Sequence, residues 1–383
     1  MAVQTPVRIL IIDDSDRDER ARFNAEMQEQ HVCVVVRHPR DVIKSDLDQA
    51  DLVLVDYLLE DWSERDSMPI CLGPQNGLAI IAILKSLSAT DARSQPRAFL
   101  LRSAKLTELS HDYNSHRRLY LLARENNLEW ILDKVQPLSE QLPQVISLAT
   151  AIRALPSAWP SDDAVETKRI VLTWLGISNN SWREMAWHDI ESAHPPLHSL
   201  HEQRHGLRFL RWFLHRILPY PCFLWTCSRL AARLRVTVPS LTTAMSAGLE
   251  DCFAPAKYTG HLHDFMGNRW WRAGCESILW ELTNGRSFDP DQIVAALNQR
   301  CGDRLVKLSF LQPVLCVDTN CQMGEELCDV EKAVRLQPDD WPPYAESAWC
   351  RIADAKGHPY LEAIVIDADL ERFESDSESE TEV

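Results

Sequence analysis

Short runs of apolar residues punctuate the N-terminal part of this chain, and each gives way to polar side chains. The runs are Val7–Ile12, Leu52–Val55, Ala98–Leu101 and Trp130–Leu132. Continuous aliphatic and β-branched runs of this length predict strands buried on both faces, as in a parallel sheet. The polar residues that follow are Asp13 and Asp14, then Asp56, then Ser103 after Arg102, and Lys134 after Asp133. A further strand at His31–Val36 and a short helix around Asp41–Leu47 complete a β-α-β-α-β order up to Asp56. The first helix is expected after Asp14, capped by Ser15 or Asp16, with Phe23 and Met27 on its buried face. Leu78, Ile81, Leu84 and Leu87 recur at helical spacing and predict a helix from Gly77 to Leu87; Leu138–Leu155 is expected to form the last helix of the set.

In open parallel α/β sheets ligands bind beyond the carboxyl ends of the strands, so acids at those ends are placed for chemistry rather than packing. Asp13, Asp14, Asp56, Ser103 and Lys134, in that order and at those strand ends, resemble the CheY-like receiver domain of two-component response regulators over residues 1–153. The resemblance implies an α/β fold of the (βα)5 doubly wound type with parallel sheet order 2-1-3-4-5. It implies that Asp56 is the phosphoacceptor and that Asp13, Asp14 and Asp56, with the backbone carbonyl of Leu58, hold Mg²⁺. Ser103 would be the switch hydroxyl and Lys134 the phosphoryl-binding cation. The chemistry suits each role: Mg²⁺ prefers carboxylates, water and phosphate oxygens, and a lysine adds a point charge to a phosphoryl group. The implied partner is a sensor histidine kinase or phosphotransfer protein, with homodimerisation as a further implied state.

The sequence also departs from that pattern. Asp56 and Gly77 are separated by Tyr57–Asn76, an insert containing Glu60, Asp61, Glu64, Asp66, Pro69 and Pro74. Long irregular loops in compact domains are often functional, so a lid or docking loop is one expectation and a solvated loop the other. The stretch from Ser103 to Asn127 exceeds the usual helix and loop. Ile131 stands where many receivers carry a switching aromatic, and Val135 and Gln136 separate Lys134 from Pro137.

The whole chain has 383 residues, 45% hydrophobic and 25% charged, with a net charge of −16. That balance fits a globular protein of more than one domain and argues against a general nucleic-acid or membrane-surface binder. No apolar run approaches the length of a membrane span, and Met1–Pro6 lacks a signal peptide's basic start, so a cytoplasmic location is expected. Beyond the receiver-like part, a linker is expected at 154–166, a helical output domain at 167–303 and a small α/β element at 304–369. Val314–Val317 and Leu361–Ile366 are the expected strands of that element. Residues 370–383 carry six acids against one Arg and are expected to form a disordered tail. The 11 cysteines make no CxxC pair and read as buried small apolar residues; Cys301, Cys316, Cys321 and Cys328 lack the common zinc spacings.

Two stretches of the second half carry rival chemistries. His201, Glu202 and His205 match HExxH, in which two histidines one helical turn apart bind zinc and the glutamate polarises a water. His201, Arg204, Arg208, Arg211 and His215 also make a basic stripe, which is either a solvated face or a dock for an acidic surface. Residues 226–246 have the rhythm of a helix-turn-helix, and the stretch from 198 to 246 carries seven Arg against one Glu. The expectation is therefore a response regulator with an uncharacterised C-terminal output domain and only self-phosphorylation and dephosphorylation chemistry. The alternatives are a phosphoryl sink without output, a DNA-binding transcriptional regulator, and a receiver-gated zinc metallopeptidase.

Overall fold

The computed structural model describes residues 6–15, 32–68, 73–89, 96–110, 118–160, 163–200, 206–302 and 304–379. It divides into two compact units, the first comprising 1–175, 196–215 and 260–266 and the second 176–195, 216–259 and 267–383. This grouping cuts across the expected boundaries at 153 and 166. Trp159, inside the expected linker, is buried and packs on Phe209 with ring centroids 5.9 Å apart.

The first unit is built on a parallel sheet of β1 (Arg8–Ile12), β2 (Cys33–Arg37), β3 (Leu52–Asp56), β4 (Ala98–Ser103) and β5 (Trp130–Asp133) in the order β2-β1-β3-β4-β5. Every residue of β3 is buried, as expected for the central strand of a sheet covered on both faces. Leu10 pairs in register with Val53 on one side and Val35 on the other, and Asp56 pairs with Arg102. On one face Leu10, Ile12, Val53, Val55, Phe99 and Leu101 pack against Ile80, Ile81 and Leu84 of the helix Gly77–Ala89. Each such fully buried aliphatic side chain contributes roughly 1.5–3 kcal/mol. Helices Lys44–Gln49, Leu119–Glu125 and Leu138–Arg153 alternate with the strands. The expected first helix, with Phe23 and Met27, lies outside the described residues.

The helix Leu207–Trp212, which continues as a π-turn to Ile217, carries part of the basic stripe. Arg208 is exposed. Arg211 Nε donates to Glu129 Oε1 at 2.7 Å, and His215 Nε2 lies 2.8 Å from the Glu129 carbonyl oxygen. The other carboxylate oxygen of Glu129, fully buried, accepts the Phe99 N–H of β4 at 2.6 Å. The stripe therefore docks in part on an acid that immediately precedes β5, at the opposite end of that strand from Lys134.

In the second unit, helices Cys227–Leu234, Val238–Ala244, Arg272–Leu282 and Pro290–Cys301 enclose a core that includes Leu230, Leu241, Phe253, Leu279 and Leu297. Two short strands, β6 (Leu224–Trp225) and β7 (Trp270–Trp271), pair antiparallel. A small sheet follows, formed by β8 (Pro313–Val317), β9 (Met323–Asp329), β10 (Ala333–Leu336) and β11 (Ala348–Arg351) in the order β10-β11-β8-β9.

Two expectations for this region need correction. Leu361–Ile366 is not a strand: Pro359 opens a helix, Pro359–Ala363, with Leu361 buried, and only Val365 bridges to Leu336. Proline's fixed φ suits a first helical turn and removes a donor that a strand would need. Nor is the tail structureless from residue 370. Leu370–Ser379 is helical because Phe373 packs on the C-terminal core and Arg372 donates to the Val330 carbonyl at 3.0 Å while pairing with Asp369 at 3.1 Å. Among the described residues no helix is long and apolar enough to cross a membrane.

Candidate functional site

The carboxyl edge of the first sheet gathers the acids that the strand pattern singles out. One carboxylate oxygen each from Asp13, Asp14 and Asp56 lies within 4.8 Å of the others, and all three residues are buried. This is the one such group of potential metal ligands among the described residues. Asp56 ends β3 and is 4% exposed; Lys134, in the turn after β5, donates from Nζ to Asp56 Oδ2 at 2.6 Å. Among the described residues Asp56 Oδ1, itself buried, has no hydrogen-bond partner. Leaving a carboxylate oxygen so placed costs about 1–3 kcal/mol or more, and ion-binding sites are where such orphans belong.

The charges in this pocket act on one another. Burial pushes the Asp56 carboxyl up to about 6, against the lowering pull of Lys134, and the charges of Asp13 and Asp14 add to the rise. Asp14 is also raised, first by burial, although the Asp61 N–H opposes it. Burial works against the Lys134 ammonium, but the hydrogen bond and charge of Asp56 outweigh it and hold the amine above its ordinary value. Three buried carboxylates facing one lysine make a pocket short of positive charge. Its oxygen donors and its orphaned Oδ1 suit a small, hard divalent cation.

Backbone geometry brings these groups together. Asp13 follows β1, and its N–H donates to the Arg37 carbonyl of β2 at 3.1 Å, while its own Oδ1 accepts the Ser15 N–H at 2.8 Å. Ser103 closes β4, fully buried, and its Oγ accepts the Lys105 N–H at 2.9 Å. Leu58, two residues past Asp56, is half-buried against the core. Gly77 lies directly behind Asp56: a Cβ on it would sit 2.1 Å from the Asp56 carbonyl oxygen, and its N–H donates to Tyr57 at 2.9 Å. The insert therefore leaves and rejoins the fold at one point.

Sequence reasoning did not find the partners of Asp14. Asp61 N–H donates to Asp14 Oδ2 at 2.7 Å and Trp62 N–H does so at 3.1 Å, both from within the insert. Leu59 and Trp62 are buried in the core of the first unit. The available signal was a tryptophan in an otherwise acidic loop, since a buried aromatic contributes more than a solvated loop needs. Glu60 and Glu64 are exposed and turned outward, toward Lys105 and Arg40 respectively.

The rival sites fare differently. His201, Glu202 and His205 lie outside the described residues. Glu276, an acid further along the chain, accepts a bidentate pair from Arg233 at 2.6 and 2.7 Å. Residues 226–246 do form two helices about a tight turn, Cys227–Leu234 and Val238–Ala244, with Arg235 in the left-handed region at φ 55°. The exposed positions of the second helix and its continuation include Pro239, Thr242, Thr243 and Ser246, none of them cationic. Cys316 and Cys328 lie in one small core, whereas Cys321 and Cys301 belong to two others.

Comparison with protein-family models finds no match to this chain. Comparison with curated proteins likewise finds no match.

Proposed function

We propose that the chain is a response regulator whose first unit acts as a receiver, taking a phosphoryl group onto Asp56 from a histidine kinase or phosphotransfer protein. The observation that carries this reading is the Asp56 carboxylate itself. It is buried at the end of the central strand of a 2-1-3-4-5 sheet, with Lys134 on Oδ2, no partner on Oδ1 among the described residues, and Asp13 and Asp14 beside it. Oδ1 attacks the phosphorus in line as the P–N bond to the donor histidine breaks and its electron pair departs with the imidazole. The product is an acyl phosphate. Mg²⁺, held by Asp13, Asp14 and Asp56 with the Leu58 carbonyl, would offset the charge on the transferring phosphoryl group. Lys134 is positioned to follow the new oxygens, and the Ser103 hydroxyl, whose oxygen already accepts from Lys105, retains its proton to donate to one of them. Hydrolysis by water restores the carboxylate and withdraws both contacts.

The C-terminal part is the output of this switch in the proposal, and the surroundings of Glu129 favour that over a phosphoryl sink. Residues 207–215 and 260–266 pack within the first unit around Trp130, which lies 4.9 Å from the Phe265 ring centroid and stacks on His215. A sink needs no such attachment. Borohydride reduces an acyl phosphate to the alcohol, so treating the phosphorylated protein should convert Asp56 to homoserine in its peptide. Recovery of the reduced residue at another position would reject Asp56 as the acceptor.

A further inference from the structure

The insert after Asp56 does more than lengthen a loop. From the end of β3 it runs across the carboxyl edge of the sheet and touches the segment after each neighbouring strand. Its Asp61 and Trp62 N–H groups donate to Asp14 after β1. The Trp62 ring meets His38, just after β2, edge to face at 5.8 Å, and Glu64 pairs with Arg40 in the same segment. On the other flank Glu60 lies 3.6 Å from Lys105, two residues past Ser103. The ends of the excursion meet at Tyr57 and Gly77. Among the described residues these four attachments to three segments make this a strap, and of the four the pair of N–H bonds to Asp14 is the one that reaches the acidic pocket.

We propose that residues 57–68 are a strap that positions Asp14 and thereby sets the affinity of the acidic pocket for a divalent cation. The inference rests on the metal-binding reading of the pocket and goes beyond it. Two N–H donors on Oδ2 fix the rotamer of Asp14 and favour its charged form, leaving the carboxylate aimed at Asp13 and Asp56 before any cation arrives. Backbone donors are only as well placed as the chain that carries them, and Trp62, with Leu59, buries this chain in the core of the first unit. Trp62 is thus a positioning residue that acts through its own N–H and that of Asp61. The surface pairs Glu64–Arg40 and Glu60–Lys105 are exposed and contribute little individually. Loss of such supporting partners typically weakens metal binding about 10–100-fold.

The test is titration of the full-length, metal-stripped protein with Mg²⁺ by calorimetry, alongside amide hydrogen exchange without metal. Trp62→Ala should weaken Mg²⁺ binding about tenfold or more, whereas Trp62→Phe, which keeps a buried ring and the N–H, should stay within about threefold of wild type. In the metal-free protein the Asp61 and Trp62 amides should be protected, and Asp14→Ala should abolish that protection while Trp62→Phe retains it. Unchanged Mg²⁺ affinity in a folded Trp62→Ala variant would overturn the proposal. So would unprotected Asp61 and Trp62 amides in the wild type, even if Trp62→Ala failed to fold. Absence of Mg²⁺ binding by wild type would instead reject the metal reading beneath it, and the amide protection would separate the two failures.

Discussion

At the residue scale, the first site follows from three acids and a lysine placed where β1, β3 and β5 run out of sheet. That much is legible in the sequence, because an apolar run ending in a carboxylate has no packing explanation. Gly77 shows what was not. Its importance lies in the 2.1 Å approach that any Cβ would make to the Asp56 carbonyl, a contact between positions that the sequence separates by a long insert. Gly77→Ala should destabilise the protein at the upper end of the roughly 1–3 kcal/mol typical of overpacking, and it should weaken cation binding because Asp56 must shift; chemical denaturation and calorimetry would check both. The titration of Asp56 gives a second expectation. Burial lifts its pKa from the ordinary 3.8 to about 6, so between those values the folded state holds a proton that the unfolded state has lost. Stability from this group therefore falls as pH rises through that window, and Mg²⁺ should reverse the loss. Melting of the metal-free protein against Asp56→Asn between about pH 4 and 7 would reveal it, the wild type losing ground to the variant as pH rises.

At the scale of elements, periodicity located most of the first unit within a few residues and misplaced others for identifiable reasons. The strand expected at His31–Val36 is Cys33–Arg37, and the helix expected to end at Leu87 runs to Ala89. Leu361–Ile366 has the composition of a strand, yet Pro359 and the turn before it start a helix. The basic stripe shows a different limit. Helical spacing identified Arg211 and His215 as sharing a face, but nothing in the pattern could say that both would be drawn to Glu129, which looks like a loop acid before β5. Glu129 is fully buried between Phe99 N–H and Arg211, so Glu129→Ala leaves the Phe99 amide without this acceptor and Arg211 with its Asn127 contacts but no counter-charge at that site. Breaking a buried pair in this way typically costs about 3–5 kcal/mol, and Glu129→Gln, whose single amide oxygen keeps one of the two acceptors, should cost less. Equal losses in the two variants, read from urea unfolding, would show that the carboxylate's charge and not its hydrogen bonding matters here.

For the molecule as a whole, the order of strands was legible through the resemblance that four strand ends carry, five polar residues in a fixed sequence. The grouping of segments was not. Residues 196–215 and 260–266 join the first unit although they lie far along the chain, and composition has no means of announcing contacts made after intervening helices. Phosphoryl acceptance at Asp56, as proposed, is local and chemical. The most direct measurement is the intact mass of the full-length protein after incubation with a small phosphodonor, with Mg²⁺ or with chelator, for wild type and Asp56→Asn. Wild type with Mg²⁺ should gain the mass of one phosphoryl group, and chelator or Asp56→Asn should prevent the gain. No adduct on wild type at saturating Mg²⁺, or an equal adduct on Asp56→Asn, would contradict phosphoryl acceptance at Asp56.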